Sequence, residues 1–139
     1  MLYPNLTIPA IIAEVRKVAA ERPNFVYAEQ PERVALVERM GTINGNLECS
    51  YLGAFNVETG AEPVGEGCIV GQALKRLGVN DGHLRDHEGR SASSVVASLT
   101  GNYKGSGWLN LVQSGQDGGL SWAEAVAGAG APRDAKVGA

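Results

Sequence analysis

The chain has 139 residues, a length suited to one domain with a real core. Its 12 Lys and Arg against 15 Asp and Glu give a net charge of −3 with no long basic run, which argues against nucleic acid as a partner. Two cysteines are too few for a disulfide framework, and Glu14, Arg16 and Lys17 break the partly apolar stretch at 8–15, so neither a signal peptide nor a membrane span is expected. These features describe a soluble cytoplasmic protein with free thiols.

The first helix opens at Leu6-Thr7-Ile8-Pro9. Thr7 is a good N-cap, Pro9 is tolerated in a first turn, and Leu6 is placed to staple onto Ile11. Ile8, Ile11, Ile12, Val15, Val18 and Ala19 form one stripe, with Glu14, Arg16, Lys17 and Glu21 facing away. Pro23 ends the helix at or before Arg22. Asn24-Phe25-Val26-Tyr27 is short, aromatic and β-branched and reads as a strand. Residues 33–40 fit neither period well, strand or helix. The Asn44-Gly45 pair that follows is a strong hairpin signal, and Leu47, Cys49 and Tyr51 alternate with Glu48 and Ser50. A hairpin of 33–40 with 47–53, joined by Phe25–Tyr27, gives a small antiparallel sheet.

Residues 56–67 form a loop into the clearest helix of the chain, from Cys68 to Leu77. Ile69, Val70, Ala73, Leu74 and Leu77 share one broad face. Lys75 and Arg76 complement the dipole of its last turn, Gly78 suits a left-handed termination, and Val79 can fold back. Residues 80–89 are read as a helical turn or two. Ser91 or Ser93 caps a helix through Val95, Val96 and Leu99 that stops at Thr100-Gly101-Asn102. Ser106 caps another, with Trp108, Leu109, Leu111 and Val112 as its apolar face. Gly115–Gly119 is a turn. Ser121 and Glu124 then form a capping box, Leu120 is placed to staple onto Ala125, and the helix runs to about Ala127. The remaining residues have little to bury. The expectation is a compact, mostly helical α+β domain over 1–127, with a small antiparallel sheet from the N-terminal half and a flexible tail over 128–139.

Four groups of residues invite a chemical reading. Cys68 lies at a helix start, where the dipole and free N–H groups favour a thiolate, and a histidine such as His83 or His87 would complete a cysteine hydrolase. The favoured reading of Cys68 is a small buried apolar thiol, as most free cysteines are. His83 and His87, four apart, share a helix face, but four ligands for a closed zinc site are not in view, so no metal or other cofactor is expected. Gln116-Asp117-Gly118-Gly119 precedes a helix start that could hold an anion, yet it lacks the Lys-Ser/Thr of a phosphate loop and reads as a glycine-rich turn. Trp108 and Trp122 read as core residues rather than stacking platforms. A binding pocket, if the chain has one, falls at Gly65, Gly67 and Cys68, where glycines would let a ligand approach the backbone.

Two resemblances bear on these residues. The Cys68–Val79 string looks like the nucleophile helix of bacterial cell-wall cysteine peptidases. It departs from that pattern in having Gly67 where the family has aspartate, and neither His83 nor His87 opens an apolar strand. Glu21–Tyr27, Gly67–Val79 and Gln116–Val126, about a quarter of the chain, are similar in that order to small uncharacterised proteins of actinobacterial phages, relative to which 30–47 looks like an insertion. That group has no established activity, so the likeness implies only a setting in the host cytoplasm. With it, the sequence suggests a non-enzymatic accessory protein that binds a host protein or a small host signal molecule, possible as a homo-oligomer. A hydrolase using Cys68 and a self-assembling structural protein remain the alternatives.

Overall fold

A computed structural model describes residues 3–30, 51–52, 67–88, 90–102 and 104–131. Among these residues the chain forms six α-helices and one 3-10 turn, Tyr27–Glu29. The helices are α1 (Ile8–Glu21), α2 (Ile69–Arg76), α3 (Asp81–Asp86), α4 (Ala92–Thr100), α5 (Gly107–Asp117) and α6 (Trp122–Ala129).

Local chemistry sets most of their ends. Thr7 Oγ1 accepts the Ala10 N–H at 3.2 Å, and Pro9 sits in the first turn of α1 where no N–H is needed. The α1 stripe from Ile8 to Ala19 is buried along its length. At the end of α2 the Val79 N–H returns to the Leu74 carbonyl and the Gly78 N–H to that of Lys75, with Gly78 at φ +97°. That is a Schellman termination, and Val79 is buried behind it. Asn80 caps α3 through the His83 N–H, and Ser91 caps α4 through that of Ser94. Gly101, at φ +78°, closes α4.

The helices share one core. Ile11, Val15, Val18, Ile69, Leu74, Leu84, Leu99, Leu109 and Trp122 are all fully buried in it. α1 lies on α2, and α5 packs against α2, α4 and α6. The outer edge of the α1–α2 contact carries a forked ion pair, with the Arg76 guanidinium donating to both Glu21 oxygens at 2.6 and 2.9 Å. These hydrogen bonds hold the Glu21 carboxyl below its ordinary range and push Arg76 further up. Near the chain's start, the Tyr3 hydroxyl accepts the Asn80 N–H and pairs with His83 Nδ1, while the Tyr3 N–H reaches the Leu99 carbonyl. Tyr3 thereby ties the beginning of α3 to the end of α4.

The capping box of α6 is complete. The Glu124 N–H donates to Ser121 Oγ and the Ser121 N–H to Glu124 Oε1. Those bonds from Ser121 hold the Glu124 carboxyl below its ordinary range. The helix extends past Ala127 to Ala129, and the Trp108 indole donates to the Gly130 carbonyl just beyond it at 2.8 Å.

The expected α+β class is corrected by this architecture: the described residues contain helices and no strand. Phe25–Tyr27, expected as a strand, instead leads into the 3-10 turn. Its backbone serves the start of α6, where the Trp122 N–H donates to the Phe25 carbonyl and the Ala123 N–H to that of Pro23. The Phe25 ring lies 4.5 Å from that of Trp122, with the Arg22 guanidinium 4.1 Å above Phe25. The segment has a strand's composition, but its Phe25 carbonyl serves as a helix cap and those of Val26 and Tyr27 accept the N–H groups of Glu29 and Gln30 in the 3-10 turn.

Of the proposed hairpin, 33–40 lies outside the described residues, as do 47–50 and 53, while Tyr51 and Leu52 form a bend. Both of their N–H groups turn to the Glu88 carboxylate, at 2.7 and 3.3 Å. Consecutive N–H groups of an extended strand point to opposite sides, so a shared acceptor marks a turned backbone.

α5 differs from expectation in three ways. It continues through Gly115 to Asp117, because Gly115 is a helix contact and not a turn residue. A Cβ there would stand 3.2 Å from Ala125 Cα. Ser106 precedes the helix without a capping bond from its side chain. Leu111, assigned to the apolar face, is 57% exposed, and Gln113 and Gln116 face the core in its place.

Candidate functional site

The start of α2 is where the candidate residues meet. Cys68 occupies the N-cap position in an extended conformation, and its side chain makes no capping bond. The first helical N–H, that of Ile69, is taken by Gln116 Oε1 of α5 at 2.8 Å. The same oxygen accepts the Trp122 indole N–H at 3.2 Å. The Gln72 side chain donates back to the Gly67 carbonyl at 3.0 Å, closing the turn on itself.

The glycines of this turn admit another part of the chain. The Tyr51 backbone lies against Gly67 and Gly71, so close that a Cβ on either would overlap it. The Cβ added at Gly71 would fall 2.7 Å from Tyr51 Cα. The approach expected to admit a ligand at Gly67 is thus filled by Tyr51 and Leu52, while Gly65 lies outside the described residues.

Tyr51 is completely buried. Its hydroxyl donates to the Arg90 carbonyl at 2.5 Å and accepts from the Gln113 amide at 3.3 Å. That amide also stands 4.0 Å from Cys68 Sγ, and the Gln113 side-chain carbonyl accepts the Ala92 N–H that opens α4. A ring, a thiol and a helix start are joined by one side-chain amide that uses both of its ends.

Cys68 is likewise fully buried. The two histidines are engaged elsewhere: His83 Nδ1 with the Tyr3 hydroxyl, and His87 Nδ1 with the His83 carbonyl at 2.7 Å. A carbonyl only accepts, so His87 Nδ1 carries the proton in that bond. The structure therefore uses the pair to bind α3 to itself and to Tyr3. Among the described residues no three His, Cys, Asp or Glu side chains gather where they could hold a metal ion. The α6 start is also occupied: the N–H groups of Ser121, Trp122, Ala123 and Glu124 all have protein acceptors, leaving none of these for an anion.

Sequence reasoning singled out Gly67 and Cys68, placed Gln116 in a glycine-rich turn, and gave Tyr51, Glu88 and Gln113 no part at this helix start. The glutamines left a trace: Leu109, Val112, Gln113 and Gln116 repeat at helical spacing, which puts two amides on the core face of α5. Gly67 and Gly71, four residues apart, were the matching sign of a close backbone approach.

In comparisons with known proteins, no family model, no curated protein and no solved structure matches this chain. Among the described residues no helix is long and apolar enough to cross a membrane.

Proposed function

We propose that this protein acts by binding, as a non-enzymatic accessory protein whose target is a host protein or a small host signal molecule. The reading is carried by the placement of Cys68. A nucleophilic thiolate needs access, a free helix N-terminus or a cationic neighbour. Cys68 has zero exposure, lies against an amide, and the helix N–H beside it is already given to Gln116. The rival hydrolase reading requires this residue to be reached by substrate and served by His83 or His87, whose described bonds run to Tyr3 and within α3. The phage setting rests on the three sequence stretches alone.

The test is native and denaturing mass spectrometry of the purified chain after incubation in actinobacterial extract, on the wild type and Cys68→Ala. Binding predicts an added mass that appears in both proteins and is lost on denaturation. An adduct that survives denaturation in the wild type and is absent from Cys68→Ala would support thiol chemistry instead.

A further inference from the structure

We draw no further inference here: the strongest candidate, the surface patch at the α5–α6 corner where Leu111 and Leu120 are exposed on either side of Gly115, carries nothing because nothing in the structure shows what covers it.

Discussion

Gln116 and Ile69, 47 residues apart in the chain, are joined by a 2.8 Å hydrogen bond in which a side-chain carbonyl takes the first N–H of α2. The Trp122 indole uses the same oxygen. One acceptor thus fixes the starts of α2 and α6 from a fully buried position on α5. Gln116→Leu keeps the shape and leaves two donors without that acceptor. Each buried donor left unpaired costs about 1–3 kcal/mol, so a loss of about 2–6 kcal/mol is expected in urea unfolding. A loss below that of an ordinary surface substitution would show that water reaches the site.

The glycines sort by what surrounds them. Gly71→Ala drives a methyl into the Tyr51 backbone, which cannot move without leaving its bonds to Glu88 and Arg90. Gly115→Ala meets Ala125 and Leu120 at 3.2–3.3 Å, a contact that a shift of a few tenths of an ångström relieves. Overpacking costs about 1–3 kcal/mol and sometimes more. Gly71→Ala is expected at or above the top of that range and Gly115→Ala near the bottom, as thermal or urea unfolding would read. A reversed order would contradict the placement of Tyr51.

Acid is expected to weaken the α1–α2 edge. Hydrogen bonding to Arg76 depresses the Glu21 carboxyl, so the contribution of this pair is fully present above the unfolded carboxylate value of about 4.3 and is lost as pH falls through the lower folded value. The wild type should therefore exceed Glu21→Gln in urea midpoint at pH 7, and the two should converge as pH falls through the lowered folded value. The pair is exposed, so salt should shrink the difference at neutral pH. A difference that stays constant as pH falls from 7 through the carboxylate range would mean the glutamate stabilises by packing instead.

The helices were legible where their ends are set by neighbours in sequence. Thr7 with Pro9, Gly78 with Val79, and Ser121 with Glu124 each act within a few residues, so the pattern that predicts them is also the structure that forms. The errors share the opposite origin. Phe25–Tyr27 has a strand's residues, but the donors that reach its backbone come from the start of α6, at Phe25, and from Glu29 and Gln30 just beyond it, at Val26 and Tyr27. Gly115 looks like punctuation because the Ala125 it accommodates lies in the next helix. Gln113 and Gln116 are polar residues on a core face whose partners Tyr51, Cys68 and Ile69 lie 62, 45 and 47 residues away. Of the candidate site, the cysteine at the head of a helix could be read in advance. The chain segment that fills the glycine face beside it could not, because a glycine that admits backbone and a glycine that admits a ligand look the same in sequence.

The central claim, that Cys68 is a covered core residue and not a nucleophile, is tested most directly by its reaction rate. The native chain with Cys49→Ser would be treated with N-ethylmaleimide at neutral pH, and its second-order rate compared with that of free cysteine. A fully buried thiol, reached only when the fold opens, should react slower by on the order of a hundredfold or more. A rate equal to or above that of free cysteine would contradict the account and return the cysteine-hydrolase reading to first place.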